Sequence, residues 1–413
     1  MNKFYYLKLC TVVMSAWFVL SCSKSKPVIK DEEGSTSTPA TLATLTTTVL
    51  SSITTTSAVT GGAVTSNGGA AVTERGVCYS LTPNPTIANL IAIPTSVSGS
   101  GSFVTQIGGL TASTKYYLRA FATNKAGTAY GNEIELVTAD IVSATFAFTP
   151  MFIIGSTLAA TDVEVLSDGG NAVTEKGIVW GTSANPTVAN NKLKHNSTGT
   201  GKFRMMIRGL DEKTDYHVRG YAVNSKGVSY SADITFRTIA KGKVTYQFNK
   251  VNNPSADQLA AYNRLQMPLD SAVWYLNNFT SATKHVYMNY EPGTPTADAN
   301  NEGWMRFGSS SDFHNIRTVL HEMNHTFGTG TSSWWSGKIV GGKLQAPNVS
   351  AMLKKIQNSS VDVQLSGDSQ HWWPYGLNQN SEVTSSWDYV YNCLIIEAMR
   401  KDGLTQYSGA YTP

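Results

Sequence analysis

His321-Glu322-Met323-Asn324-His325 sets two imidazoles four residues apart, with a carboxylate directly after the first. On a helix, residues four apart lie one above the other, so both rings can aim at a single ion. Phe313, Ile316, Leu320, Met323 and Phe327 recur at spacings of 3, 4, 3 and 4, the apolar stripe of such a helix, and Gly328 supplies its stop. Two neutral imidazoles from one helix make two corners of a tetrahedral Zn2+ site. Glu322 then stands beside the ion as general base toward a water that attacks a carbonyl, and returns the proton to the leaving amine. The pattern points to metal-assisted hydrolysis of a peptide bond.

A third ligand has to come from another part of the chain. His371 is the only histidine downstream of His325, and it stands in Ser369-Gln370-His371-Trp372-Trp373-Pro374-Tyr375-Gly376-Leu377-Asn378. Glu382 and Glu397 are the carboxylate alternatives. His285 and His314 are not expected to serve; His314 lies two helical turns from His321, roughly 10 Å along the axis. A second electrophile usually steadies the oxyanion in this chemistry, and Tyr375 is the candidate next to His371. Trp334, Trp335, Trp372 and Trp373 are either core or the lining of a groove.

His321–Trp335, His371–Asn378 and Ala398–Leu404 together resemble a family of secreted bacterial zincin-like proteins. In these, an HExxHxxGxGT…W stretch is followed by an H-x-WPYGLN-like stretch and an Ala-Met-Arg-Lys-Asp-Gly ending. The strict metzincin continuation HExxHxxGxxH is met at Gly328 but not at Thr331, where the last histidine belongs. A gluzincin would draw its third ligand from Glu382 or Glu397. The resemblance implies His371 as the third metal ligand, Zn2+ as cofactor and an α+β zincin-like fold for residues 241–413. His285–Tyr290 and Gly303–Gly308 read as strands, and the resemblance implies that Trp304–Phe307 is the edge that pairs with an extended substrate.

The elements before this domain follow a different pattern. Residues 41–139 and 140–240 are two copies of one motif. Gly68–Val77 matches Gly169–Ile178, Asn84-Pro85-Thr86 matches Asn185-Pro186-Thr187, and Tyr116, Arg119, Asn124 and Tyr130 match Tyr216, Arg219, Asn224 and Tyr230. Short alternating runs between Gly, Asn and Pro turns predict about seven strands per copy, hence two-sheet sandwiches. They resemble fibronectin type III-like modules of bacterial surface proteins and read as spacers. After Lys241 the composition changes, and seven of the nine tryptophans fall between Trp274 and Trp387. Helical patterns appear around 255–280 and 385–402.

Residues 1–22 read as an export signal: Lys3 and Lys8, an apolar stretch from Leu9 to Leu20, then Ser21-Cys22. That stretch is too short to span a bilayer. Val19-Leu20-Ser21-Cys22 resembles a bacterial lipobox, which implies lipidation at Cys22, and residues 23–40 read as a flexible tether. Anchoring to an outer membrane, displayed at the cell surface, is the expected location. Cys78 and Cys393 are expected as unpaired core thiols. Lys+Arg 32 against Asp+Glu 28 gives a formal +4 over 413 residues with no basic run, which argues against nucleic acid as a partner. The expected whole is multi-domain: two all-β fibronectin type III-like sandwiches carrying a zinc metallopeptidase whose substrates are extracellular proteins or glycoproteins. The rival expectation is a non-catalytic glycan- or matrix-binding surface lipoprotein with a degenerate zincin domain.

Overall fold

A computed structural model describes residues 38–148 and 151–412. The expected signal at 1–22, the lipidated Cys22 and the tether up to residue 37 lie outside the described residues.

Each repeat is a β-sandwich. In the first, Thr44–Ser51, Ala58–Ser66 and Gly101–Ile107 form one antiparallel sheet. Leu90–Ala92, Glu74–Ser80, Lys115–Asn124 and Gly127–Tyr130 form the other, with Ile134–Val137 also paired to Lys115–Asn124. Alternation along Lys115–Asn124 turns Leu118, Ala120 and Ala122 inward against Phe103 and Ile107. The second copy repeats this with Ile178, Phe203, Ile207 and Val218 inside. The residues shared by the copies hold the fold together. The hydroxyls of Tyr116 and Tyr216 accept from the amides of Thr111 and Asp211, each at 3.0 Å, closing a tyrosine corner. Arg119 and Arg219 donate to the carbonyls of Gly131 and Ser231. Cys78 and Cys393 are buried free thiols.

The last domain is a mixed sheet covered by helices. Lys243–Asn249, Thr283–Tyr290 and Trp304–Phe307 run parallel in that order, and Ala297–Ala299 joins Trp304–Phe307 antiparallel as the outermost strand. Trp304–Phe307 is therefore flanked on both sides. The expectation that it forms the free edge is corrected: Ala297–Ala299 holds that place. Val286, Met288, Met305 and Phe307 face a core completed by Leu265, Leu269 and Leu276 of helix α1 (Ala256–Phe279). Leu320, Met323 and Phe327 of α2 (Ile316–Phe327) and Ile395, Ile396 and Met399 of α5 (Trp387–Lys401) pack into the same cluster. Between them lie α3 (Ser333–Lys338), α4 (Pro347–Ile356) and a small sheet whose last hairpin pairs Ser366–Gly367 with Trp372–Trp373.

This core does not stop at the domain boundary. Ile153, Leu158 and Ala160 of the second sandwich belong to the same buried cluster. The Ser156 amide donates to the Asn278 carbonyl at 2.7 Å, and Arg204, ion-paired with Asp162, stacks its guanidinium 4.9 Å from the Trp387 ring. The second sandwich is thus fused to the final domain through apolar contact as well as through the chain.

Candidate metal centre

Helix α2 starts three residues later than the apolar stripe suggests. The Asn315 side chain accepts from the Thr318 amide at 3.0 Å and caps the first turn, leaving Phe313 in a short 3-10 turn. Gly328 ends the helix with φ 110°, in the left-handed region. Val319, Leu320, Met323 and Phe327 are buried, which fixes the helix's rotation and points His321 and His325 away from the core cluster, side by side.

The ring nitrogens have separate roles. His321 Nδ1 lies 2.8 Å from the Gly376 carbonyl, and His325 Nδ1 lies 2.8 Å from the Thr329 carbonyl. A carbonyl oxygen only accepts, so each Nδ1 carries the proton and each Nε2 keeps its lone pair. The two Nε2 atoms face one another at 3.2 Å. Two bare acceptors that close repel each other unless a cation lies between them. Nitrogens bound at ~2.05 Å to one tetrahedral ion are about 3.3 Å apart, so the spacing fits Zn2+. Burial holds both rings neutral. It is the first cause pushing His321 down to about 3, with the neighbouring His325 second, and it lowers His325 as well.

His371 joins them from the turn of the Ser366–Trp373 hairpin, which the Asp368 amide closes onto the His371 carbonyl at 2.9 Å. One nitrogen from each of the three rings lies within 4.8 Å of the others. Among the described residues this is the one group of three or more His, Cys, Asp or Glu side chains gathered so tightly. Gly330, at φ +70°, lets the chain after α2 run against the hairpin: a Cβ there would lie 2.2 Å from the Gln370 carbonyl oxygen. Thr331, in the place of the missing metzincin histidine, donates its hydroxyl to the His325 carbonyl at 2.8 Å.

The carbonyl that orients His321 belongs to a clamped strap. Buried Arg317 donates to the Leu377 and Asn378 carbonyls at 2.8 and 3.2 Å. Glu382 accepts from the amides of Leu377 and Asn378 at 2.9 and 3.1 Å. Asn392 on α5 donates to the Tyr375 carbonyl at 2.8 Å and accepts from Asn324 on α2 at 3.2 Å. The two carboxylates weighed as alternative ligands are engaged elsewhere: Glu382 in this strap, and Glu397 with the Ser281 amide and hydroxyl and with Arg400. Tyr375 packs its ring against Tyr391 at 5.3 Å and sits on the strap next to Gly376. Of the paired tryptophans, Trp335 and Trp372 are core residues, the first of the two expectations, and Trp334 and Trp373 are partly buried.

Glu322 is 4 % exposed, and its carboxyl makes no hydrogen bond among the described residues. Burial, then the charge of Asp298, raises its pKa to about 8, against a smaller opposing pull from Arg317. A cation nearby acts in the opposite direction, favouring the carboxylate. Asp298 lies on the edge strand Ala297–Ala299, where it pairs with Arg306 at 2.6 Å. His314 accepts from Arg264 and bonds the Gly308 carbonyl, and His285 contacts Thr245; neither joins the cluster. Sequence reasoning did not reach Arg317 or Asn392, because neither belongs to a ligand motif; it gave Gly330 no role beyond its place in the HExxHxxGxGT stretch.

No family model matches the chain, and no curated protein matches it. Among solved structures it is similar to the crystal structure of the chicken CNTN1 FN1-FN3 domains, at 16% identity over 48% of this chain and 67% of that one, with a TM-score of 0.21. The sandwich architecture rests on the strand pairings above.

Proposed function

We propose that the chain is a surface-anchored, zinc-dependent metallopeptidase that hydrolyses peptide bonds of extracellular proteins or glycoproteins. The observation that carries this reading is the convergence of His321, His325 and His371, with the buried Glu322 following His321 on the same helix. The three imidazoles would hold the ion. When bound, Zn2+ polarises a carbonyl and brings the pKa of water toward neutrality. Glu322 takes the proton of the attacking water on a carboxylate oxygen and delivers it to the leaving nitrogen. Its burial suits this shuttle, since desolvation raises the carboxyl's hold on a proton while a bound cation would favour the carboxylate that accepts it. Tyr375 serves as the second polarising group through its hydroxyl. An extended substrate pairs with the free edge of Ala297–Ala299, which supplies backbone hydrogen bonds without reading side chains. Lipid on Cys22 holds the chain to the outer membrane, and the sandwiches carry the domain outward.

Glu322→Gln tests the mechanism with casein as probe. The variant retains Zn2+ and loses at least 10²-fold of the wild-type cleavage rate; retained cleavage overturns the role, and simultaneous loss of Zn2+ makes the residue structural. Tyr375→Phe, in the same assay, lowers kcat at unchanged Zn2+ content. A second reading, glycan binding without catalysis, is favoured by Trp304, exposed and stacked on Tyr287 at 4.7 Å. Binding on a glycan array with no cleavage of any protein selects it.

A further inference from the structure

Two of the three rings are oriented by backbone carbonyls and by burial on a helix. His371 has neither support. It sits on a four-residue turn with its side chain 37% exposed, stacked on the His321 ring at 5.5 Å, a contact that leaves open which nitrogen faces the cluster. Its Nδ1 faces Asp368 Oδ2 at 3.8 Å. That distance is ion-pair reach rather than a formed hydrogen bond.

The other oxygen of the same carboxylate has a different task. Asp368 Oδ1 accepts from the amides of Gln370 and His371 at 2.7 and 2.6 Å, folding the turn. The backbone that carries it is pinned as well: the Asp368 carbonyl accepts from the indole of buried Trp335 at 3.1 Å, and the Asp368 amide donates to the His371 carbonyl. The carboxylate is therefore anchored, while the ring beside it is placed by ring contacts with His321, His325 and Trp373.

We propose that Asp368 is the positioning residue of the metal centre, one oxygen building the turn and the other drawing the imidazole proton of His371 to Nδ1 so that Nε2 faces His321 and His325. This rests on the reading that the three histidines hold a cation. A neutral imidazole places its proton on the nitrogen facing an anion, and the opposite nitrogen becomes the ligand. The arrangement completes a pattern in which every ring has an acceptor behind Nδ1, the Gly376 carbonyl, the Thr329 carbonyl and here a carboxylate. The only anion among the three falls to the least buried ring, where orientation by packing is weakest.

The division between the two oxygens makes the proposal separable from a purely structural role. In Asp368→Asn the amide oxygen still accepts from Gln370 and His371, while an NH2 group replaces the oxygen facing Nδ1. Asp368→Ser, whose hydroxyl also accepts turn amides, keeps the turn and presents nothing to the ring. Full-length variants would be read three ways: Zn2+ affinity by competition with a chromophoric chelator, the melting temperature of the metal-free protein, and the His371 tautomer from ring 15N shifts in histidine-labelled, metal-free protein. The expected result is a 10–100-fold loss of Zn2+ affinity in both variants, larger for Asn, with the metal-free melting temperature unmoved. The His371 proton should leave Nδ1 for Nε2 in Asp368→Asn. Wild-type affinity in both variants overturns the proposal. So does an affinity loss that comes with a lowered metal-free melting temperature and an unchanged tautomer, because the carboxylate then only folds the turn. A chain whose Zn2+ affinity depends on Asp368 in this way yet cleaves no protein overturns the peptidase reading and leaves this one standing.

Discussion

Gly330→Ala is the smallest change that should dismantle the metal centre without touching a ligand. A Cβ at residue 330 would lie 2.2 Å from the Gln370 carbonyl oxygen, 2.7 Å from its Cα and 2.8 Å from its carbonyl carbon, all backbone. Ordinary contact begins near 3.4 Å, so the two segments must separate by about 1.2 Å along the worst contact. Gln370 is the residue before His371, so that displacement passes almost undiminished to the third imidazole. Sites of this kind tolerate roughly 0.5 Å. The left-handed φ of +70° adds strain of about 1 kcal/mol for any residue with a Cβ, and overpacking adds about 1–3 kcal/mol. The variant should bind Zn2+ at least tenfold more weakly in chelator competition and melt a few degrees lower without metal. Wild-type affinity in a folded Gly330→Ala protein would refute the reasoning, since His371 could not then be a ligand held at this spacing.

His371→Ala should abolish tight Zn2+ binding, whereas Glu382→Gln should keep affinity within about threefold; the reverse order would make the carboxylate the ligand. Glu382→Ala, which strips the acceptor from the Leu377 and Asn378 amides, should cost about 1–3 kcal/mol in denaturant melts. In metal-free protein, Glu322→Gln should be as stable as wild type below pH 4.5 and progressively more stable as pH rises. The unfolded carboxyl ionises from about 4.5 while the folded one keeps its proton to about 8. The folded wild type therefore binds more protons across that window and loses stability through it. His321 acts in the opposite direction, costing stability as pH falls from 6.5 toward about 3. A Glu322→Gln melting curve parallel to wild type from pH 4 to 9 would contradict the burial argument.

The local parts of the site were legible in the sequence because their signals are local. Two histidines at helical spacing, an apolar stripe and a terminal glycine lie within 16 residues. His371 was reachable through the neighbouring Trp372–Asn378 motif. The roles of that motif were not, since its Gly376 carbonyl orients His321, and Arg317, Glu382 and Asn392 hold it from three other segments. Arg317 reads as an ordinary helical arginine until the fold buries it. The Ala-Met-Arg-Lys-Asp-Gly ending proves to be scaffolding: Asp402 accepts from the Asn348 and Val349 amides at the start of α4 and from Trp334 through its carbonyl. Ala297-Asp298-Ala299 gave no strand signal, because alanine and aspartate favour strands poorly; its pairing is set by Trp304–Phe307 beside it. Core sharing between the second sandwich and the last domain depends on contacts more than 100 residues apart, as between Ser156 and Asn278, and no periodicity within either segment encodes them.

X-ray absorption at the zinc edge of the full-length protein loaded with one equivalent of Zn2+ tests the central claim most directly. The account predicts three imidazole nitrogens at about 2.0–2.1 Å and one lighter, exchangeable oxygen donor. A spectrum with two imidazoles or fewer, or a protein that takes up no stoichiometric zinc, would contradict it.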